Sequence, residues 1–349
     1  MRTNRIRELK RDYLYFGSER LYDIMPRSNN TSRVAGGGAI SRIQRHLTLA
    51  NLRKWLWILF RTALIAGLAF MILFPLSTKI SRSFMTWEDV NDPTVYYIPR
   101  NFTLDNFRVA WTGLQYPITL LKSIGITGMV TLLQTASCTL VAYGLARFDF
   151  IGKKFLFATI ILTLLIPPQA ILTPLYLRFR YFNPVQIFIT GGIMSGISLI
   201  NTLVPFVILS ATALAFKSGL YIYMLRQFFT NMPKELVESA FMDGCGHFRT
   251  FYRIMLPNAI PVVVTTMLFS FVWQWNDYNY SIMLAPNLPT LPMKMVEFQS
   301  YLGNTHGMEQ TAALADSPMF LLLIIPLLVL YIFTQRFFVE SVTRSGIVG

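Results

Sequence analysis

Aromatic, amide and carboxylate side chains adjoin near the end of a long apolar run. They are Trp273, Gln274, Trp275, Asn276 and Asp277. Rings stack on the apolar face of a sugar while polar groups bond its hydroxyls, so this set is a candidate contact on a carbohydrate path. The same residues fit an aromatic belt at a membrane interface. Asp277 costs about 2.5–3.5 kcal/mol at a bilayer centre, and a structural or gating role would explain it better than direct sugar contact.

No catalytic or metal-binding pattern accompanies these residues. The sequence lacks a G-x-x-x-x-G-K-[ST] phosphate loop, which predicts that the chain does not hydrolyse ATP. No nucleophile with a base and an orienting group stands out. Three scattered histidines form no ligand cluster, and the cysteines Cys138 and Cys245 give neither a disulfide framework nor a metal spacing. We therefore predict that the chain is no enzyme and binds no cofactor or metal itself.

The composition is that of a membrane protein. Hydrophobic residues make up 53% of the 349 residues, charged residues only 14%, and the mean hydropathy is positive. The net charge of +14 could suggest nucleic acid, but the basic residues flank apolar segments. That placement is a topology signal, so a lipid bilayer, and no nucleic acid, is the predicted partner.

Six apolar segments are long enough to cross a bilayer as helices, which need about 20 residues each. The predicted fold is therefore an all-α membrane protein with six transmembrane helices. The segments lie within residues 55–76, 123–146, 155–177, 203–224, 260–284 and 318–334. Pro167, Pro168 and Pro174 should kink the third helix, and Pro326 the sixth.

The domain organisation follows from these segments. It comprises a basic N-terminal extension (1–54), a first transmembrane helix (55–78), an extracytoplasmic segment (79–120), a core of five helices (121–338) and a C-terminal tail (339–349). Segments assigned to the inside hold 21 Lys and Arg, against eight outside. This asymmetry predicts that both termini and the polar loop 231–261 are cytoplasmic.

The loop 231–261 should contain two short helices. Asn231 is a good N-cap and Pro233 suits a first turn, so a helix should begin here with Leu236, Val237, Ala240 and Phe241 on its apolar side. Gly244 can take the positive φ that ends it. A second helix should follow, with apolar residues at helical spacing. These are Phe248, Phe251, Tyr252 and Met255.

This loop resembles the EAA loop of ABC importer permeases. The match consists of Glu238, Ser239 and Ala240, then Gly244, then Ile254, Leu256 and Pro257 at the family's spacing. Ser239 replaces the usual alanine, a change of one small side chain for another. The runs 225–229 (LRQFF) and 275–278 (WNDY) resemble the sugar-importer branch. Members of that family carry Trp-Asn-acid at this place whatever their sugar.

The resemblance implies a cytoplasmic coupling helix that docks in a cleft of a separate ATPase. The residues it assigns to this contact are Glu235, Glu238, Ser239, Ala240, Asp243, Gly244, Ile254, Leu256 and Pro257. It also implies a prokaryotic plasma membrane, an ATPase dimer that binds ATP and Mg, a homologous second permease and an extracytoplasmic sugar-binding protein. The last would dock on the outer loops.

Two further segments are interpreted through the same resemblance. The tail is similar to one that reaches the interface between two ATPase subunits, with Gly346 and Gly349 as the contacts, although a frayed terminus would also fit. Residues 184–196 look like an insertion within a charge-free run, 181–216, that is too short for two spans and a turn.

Two other functions are compatible with the pattern. One is an ABC permease for another solute, such as peptides or phosphonates, which only branch-level resemblance separates from a sugar permease. The other is an ion-coupled secondary transporter. That class more naturally shows inverted repeats and several intramembrane carboxylates, whereas this sequence shows no internal repeat and one such carboxylate.

Overall fold

The regular structure of the chain is helical. A computed structural model describes residues 49–183 and 196–346. Within them, the one departure from helix, turn and loop is an antiparallel bridge between Phe182 and Ile197. The prediction of an all-α fold is confirmed.

Two compact units make up the chain, Met1–Met71 and Ile72–Gly349. In the first unit, residues before 49 lie outside the described part, and with them nearly all of the predicted basic extension. In the second, almost all of the predicted insertion 184–196 and the tail residue Gly349 lie outside it as well.

The helices are numbered here in chain order. The first seven are α1 (Leu49–Ser83), α2 (Trp87–Asn91), α3 (Asp105–Gly113), α4 (Tyr116–Arg147), α5 (Lys153–Leu162), α6 (Pro168–Arg180) and α7 (Val204–Ala211). The next are α8 (Ser218–Asn231), α9 (Glu235–Met242), α10 (His247–Thr250), α11 (Leu256–Trp275), α12 (Asn279–Leu284), α13 (Leu291–Asn304) and α14 (Glu309–Gly346). A π-helical turn, Phe251–Met255, joins α10 to α11.

Four continuous helices are long and apolar enough to cross a membrane. They are Lys54–Ser83, Tyr116–Arg147, His247–Trp275 and Glu309–Arg336. Each has at least 28 residues, more than the roughly 20 that a bilayer core requires. They coincide with the predicted first, second, fifth and sixth spans. The fifth starts earlier than predicted and ends at Trp275, because Asn276 to Tyr278 separate it from α12.

The predicted third span is broken rather than kinked. α5 ends at Leu162 and α6 begins at Pro168, with Pro167 extended at φ −63° and ψ 134°. Two consecutive prolines remove two backbone donors, and each disfavours helical geometry in the residue before it. The prediction of a kinked but continuous helix is therefore wrong here.

The predicted fourth span, 203–224, is also interrupted. α7 ends at Ala211 and α8 begins at Ser218. Between them Ala213 and Lys217 have positive φ values of 58° and 64°. A left-handed residue cannot propagate a right-handed helix, so the two residues end one segment and start the next. The prediction of a continuous helix is wrong at this point.

A buried tyrosine compensates for the proline inside α14. Pro326 has no amide hydrogen, so the Leu322 carbonyl four residues earlier loses its helical partner. The Tyr116 hydroxyl donates a hydrogen bond to that carbonyl at 3.0 Å. Trp275 Nε1 donates to the next carbonyl, that of Leu323, at 3.1 Å. These two bonds join α4, α11 and α14, and α14 continues through Pro326 as one helix.

An aromatic cluster packs beneath the loop 231–261. The Tyr143 ring lies 4.7 Å from Phe251 and 5.6 Å from Phe229, centroid to centroid. Met255 is fully buried beside them. Such aromatic pairs add about 0.5–1.5 kcal/mol to the free energy of area burial. The cluster holds the start of the helix formed by α10, the π-turn and α11 against α4 and α8.

The segment between α1 and α4 is an ordered layer. Asp89 is buried and accepts hydrogen bonds from the backbone and side chain of Asn101. The side-chain amide of Asn106 donates to the carbonyls of Ser83 and Met85. Lys79 forms an ion pair with Asp316 at the start of α14. This segment is therefore a folded element of its own and not a loose connection.

We predict that Tyr116 and Pro326 are energetically coupled. Tyr116→Phe leaves the Leu322 carbonyl without a partner and should lower the free energy of unfolding by about 1–3 kcal/mol. In a Pro326→Ala background the alanine amide can donate to that carbonyl, so the same substitution should cost clearly less. Thermal unfolding of the purified wild type, the two single variants and the double variant measures this coupling as a double-mutant cycle.

The control is Tyr301→Phe, because the Tyr301 side chain is exposed. If Tyr116→Phe lowers the free energy of unfolding equally in the wild-type and Pro326→Ala backgrounds, then Tyr116 does not compensate for Pro326.

Candidate functional site

The first helix of the loop 231–261 begins later than predicted. Asn231 is the last residue of α8 and caps nothing, and α9 starts at Glu235. Pro233 explains the difference: it holds Met232 extended, at φ −69° and ψ 139°, and so ends α8 before the next helix can start. The predicted N-cap at Asn231 is wrong.

The predicted glycine at the end of α9 is confirmed. Gly244 has φ +75°. Its amide donates to the Phe241 carbonyl at 3.0 Å, and the Cys245 amide donates to the Ala240 carbonyl at 2.9 Å. These bonds satisfy carbonyls that a helix end leaves open, which is the usual function of a left-handed glycine there. The chain reverses at Gly244 and enters α10 from Gly246.

The nine residues of the predicted coupling contact differ in exposure. Ala240 is buried within this chain, so its small side chain serves internal packing and does not face a partner. Two others, Ile254 and Leu256, are half-buried. The remaining six are exposed: Glu235, Glu238, Ser239, Asp243, Gly244 and Pro257.

Large apolar side chains are exposed beside these residues. Met242 is 89% exposed, Phe248 78% and Tyr252 65%. The sequence assigned Phe248 and Tyr252 to a helix face without predicting their exposure, and it did not single out Met242. We call this set, with the exposed Leu236 and Phe241, the coupling patch. Contiguous exposed apolar surface of this kind, rimmed by charge, is typical of protein-interaction sites.

The run 273–277 does not form one site. Trp275 is 1% exposed, stacks on Phe271 and bonds to the Leu323 carbonyl, so it belongs to the core. Asn276 donates to the Val272 carbonyl of its own helix. Trp273, in contrast, is half-exposed and lies beside Lys217, with 4.8 Å between the ammonium and the ring centroid.

Asp277 caps a helix. Its carboxylate accepts hydrogen bonds from the amides of Tyr280 and Ser281, at 3.2 and 2.9 Å, and from the Ser281 hydroxyl at 2.9 Å. These amides are the second and third of α12, the positions that an N-capping side chain satisfies. The geometry thus gives this partly buried carboxylate a structural function.

Gln134 bonds to the break between α7 and α8. Its side-chain nitrogen donates to the Phe216 carbonyl and to the Ser218 hydroxyl, each at 2.8 Å. Its side-chain oxygen accepts from the Ser270 hydroxyl at 2.7 Å. Because lipid offers no hydrogen bonds, a broken helix persists at membrane depth only where such partners exist.

A cavity of about 440 Å³ lies where the two interrupted spans meet. Thr163, Pro168, Lys217 and Tyr280 are among the residues that line it. The spans approach closely at Gly219, where an added Cβ would be 2.7 Å from the Thr163 hydroxyl oxygen. The interruptions, the cavity and Lys217 were not predicted as a site, since only the prolines of the third span signalled a break.

Comparison with known proteins identifies the family. The model of the binding-protein-dependent transport system inner membrane component matches residues 138–342, more than half of the chain. The chain belongs to this family. The resemblance on which the importer assignment was based is confirmed, and this inner membrane component is a membrane protein. The family implies an ATPase and a substrate-binding protein as partners.

Several relatives of this inner membrane component are transport permeases. The arabinooligosaccharides transport system permease protein AraQ of Halalkalibacterium halodurans is 28% identical over 81% of this chain and 94% of its own. The melibiose/raffinose/stachyose import permease protein MelC of Bacillus subtilis is 28% identical over 73% of this chain and 84% of its own. The relatives are transport components rather than enzymes. This confirms the prediction that the chain is a transport subunit and not an enzyme.

A solved structure shows the fold. The crystal structure of a bacterial ABC transporter involved in the import of the acidic polysaccharide alginate aligns with a TM-score of 0.63. It covers 82% of this chain and 98% of its own, at 18% identity. The inner membrane component therefore has the fold of an ABC transporter permease.

We predict that Asp277 acts through the stability of α12. Asp277→Ala removes the acceptor of two backbone amides and should lower the free energy of unfolding by about 0.5–2 kcal/mol. Asp277→Asn retains one carbonyl acceptor and should cost less. Assembly and transport should fall together in the alanine variant, measured as complex yield and uptake.

The control for this test is Asn276→Ala, which removes only a bond within α11. A loss of uptake in Asp277→Asn at normal yield and stability would contradict a structural role and favour a gating role.

Proposed function

We propose that this chain is the transmembrane permease subunit of an ATP-driven importer for a carbohydrate that an extracytoplasmic binding protein delivers. The observation that carries the proposal is the coupling patch. The patch includes residues on both sides of the chain reversal at Gly244. Its second part belongs to one helix, His247–Trp275, which runs through the π-turn. A partner that contacts the patch can therefore act directly on a membrane-spanning element.

The relatives support a sugar as the substrate. Their names include import or transport permeases for arabinooligosaccharides and for melibiose, raffinose and stachyose. A mono- or oligosaccharide is the class proposed for this chain. The half-exposed Trp273, which lies beside Lys217 of the cavity lining, can offer an aromatic face to a sugar ring.

The proposed topology has six spans, with the two interrupted pairs as the third and fourth. The pair α5 and α6 covers residues 153–180, and the pair α7 and α8 covers residues 204–231. The excess of Lys and Arg in the inside segments, 21 against eight, supports cytoplasmic termini and a cytoplasmic loop 231–261. The membrane is proposed to be the prokaryotic plasma membrane.

The ATPase dimer is the proposed occupant of the coupling patch. Its proposed contacts are the exposed EAA residues Glu235, Glu238, Ser239, Asp243, Gly244 and Pro257, and it would bind the ATP and Mg. Exposed apolar side chains close in sequence to the exposed Glu235, Glu238 and Asp243 provide the mixture of apolar and charged groups that a specific interface uses. The outer layer between α1 and α4 offers an ordered surface for the binding protein.

A homologous second permease and a tail contact complete the proposed assembly. Exposed apolar side chains of α14, among them Leu328, Val329 and Ile332, offer a surface to lipid or a second permease. α14 extends to Gly346, well past the end of its apolar stretch at Arg336. The proposed contacts of the tail with the ATPase are Gly346 and Gly349.

Gly244 provides the first test of coupling. Gly244→Val forces a β-branched residue to φ +75°, where nothing within 4 Å opposes the side chain itself, so backbone strain is the effect. Strain of about 1–2 kcal/mol shifts the conformational equilibrium of the loop roughly five- to thirtyfold away from this geometry, so ATPase stimulation by the sugar-loaded binding protein should fall. The assay uses the reconstituted complex.

Gly246→Val is the matched control. Gly246 also has open space around it, but its φ is −74°, which valine tolerates. Stimulation should remain near the wild-type level in this variant. Full stimulation in Gly244→Val would remove the loop from its proposed function.

Cys245 provides a test of topology. The residue is partly exposed in the loop, whereas Cys138 is fully buried in α4. A membrane-impermeant maleimide should label neither in sealed cells, and should label Cys245 in inverted vesicles stripped of the ATPase. Labelling is read by mass spectrometry.

Tyr96→Cys is the positive control for labelling from outside, since Tyr96 is 68% exposed in the outer layer. Reaction of Cys245 in sealed, right-side-out cells would overturn the proposed orientation.

A further inference from the structure

The cavity at the two interrupted spans is built from helix ends. Pro168 at the start of α6 and Ser218 at the start of α8 both line it. Both helices have at least 13 residues, and each directs the positive end of its dipole to this space. The dipole favours an anion at each helix start, while Pro168 has no amide hydrogen and the amides of Ser218 and Leu220 bond to the carbonyls of Ala215 and Lys217.

The ammonium of Lys217 adds a full positive charge to the same cavity. No carboxylate among the described residues forms an ion pair with it. Its neighbours are aromatic faces, with Nζ 4.8 Å from the Trp273 centroid and 5.0 Å from that of Phe216. Such faces attract a cation but leave its hydrogen-bond donors available.

A second, smaller pocket of about 20 Å³ adjoins the cavity, and both are lined by Leu209, Ala215, Phe216 and Tyr280. Ser210 lines the smaller pocket and not the cavity itself, and its hydroxyl is fully buried without a hydrogen-bond partner among the described residues, as are the hydroxyls of Thr131 and Tyr221. A buried hydroxyl without a partner is costly.

In the described part of the chain, the one charged side chain in the lining of the cavity is Lys217. Among the described residues that line the cavity there is no Asp or Glu. The smaller pocket contains one carboxylate, Asp277, whose oxygens are engaged by the amides at the start of α12 and by a hydroxyl. The volume of about 440 Å³ lies within the range of about 300–1,000 Å³ that is usual for small-molecule sites.

We propose that this cavity is a transit site for sugars that carry an anionic group, such as a carboxylate, and that Lys217 determines this specificity. The inference rests on the proposed function, which it deepens. The Lys217 ammonium would bond the anion, the first turns of α6 and α8 would stabilise its charge, and Trp273 would lie beside the ring.

The test compares two sugars that differ only at one carbon, glucuronate and glucose. The complex of permease and ATPase is placed in phosphatidylcholine nanodiscs without the binding protein, so that neither anionic lipid nor a second sugar site interferes. Equilibrium dialysis of each labelled sugar measures binding. The wild-type complex should bind glucuronate more tightly by about tenfold or more, because a hydrogen bond to a charged group discriminates at this level.

Three variants assign the preference to Lys217. Lys217→Gln should abolish it and Lys217→Arg should retain it. Lys217→Asn should abolish it too, and because asparagine tolerates the left-handed backbone at φ 64°, this variant separates loss of charge from misfolding. Lys153→Gln, which removes a lysine that is paired with Asp149, is the matched control and should leave the preference unchanged.

The inference is overturned if the two sugars bind equally, if neither binds, or if the preference survives both neutral variants. ATPase stimulation by the loaded binding protein is measured on the same complex. Normal stimulation without a sugar preference in the cavity would reject this inference alone, whereas a complex that no loaded binding protein stimulates would reject the proposed function.

Discussion

The arrangement of the long apolar helices depends on the hydrogen bonds of the Gln134 side-chain amide. A helix that breaks at bilayer depth exposes carbonyls and amides that lipid cannot satisfy, at several kcal/mol each. Gln134 is 2% exposed, and its three bonds reach Phe216, Ser218 and Ser270. Ser137 on the same helix donates to the Ser210 carbonyl at the other side of the break. The interruption can therefore persist, and with it the positions of Lys217 and the cavity.

The same requirement explains how α14 remains continuous. Its proline is tolerated because Tyr116 bonds the carbonyl that Pro326 leaves open. Since Trp275 bonds the next carbonyl, α4, α11 and α14 are held to one another by backbone acceptors as well as by apolar packing. Hydrogen bonds specify this arrangement, because packing alone distinguishes little between one apolar helix face and another in lipid.

The sequence predicted the features that depend on composition and on residue-specific backbone preference. Apolar length located the four continuous helices, and Gly244 marked the end of α9. The features that tertiary contacts decide were not predictable. Lys217 and Ala213 are ordinary residues in a left-handed conformation, with no Gly or Pro between 212 and 217 to signal it. The sequence favoured a structural or gating role for Asp277 over sugar contact, but it did not identify the Tyr280 and Ser281 amides that the carboxylate binds. Asn231 was a plausible cap, but the proline two residues later decided where the helix began.

The break between α7 and α8 also affects the rate at which the protein can change conformation. Unwinding a continuous helix inside a bilayer would expose backbone groups in every cycle, and the barrier would grow with each lost bond. Here the Phe216 carbonyl accepts a bond from the Gln134 side chain of α4, and the Ser210 carbonyl accepts one from the Ser137 side chain. A rearrangement at this joint therefore starts from a helix that is already interrupted. Such motions occur on the microsecond to millisecond timescale, well within the turnover time of a typical enzyme-driven cycle.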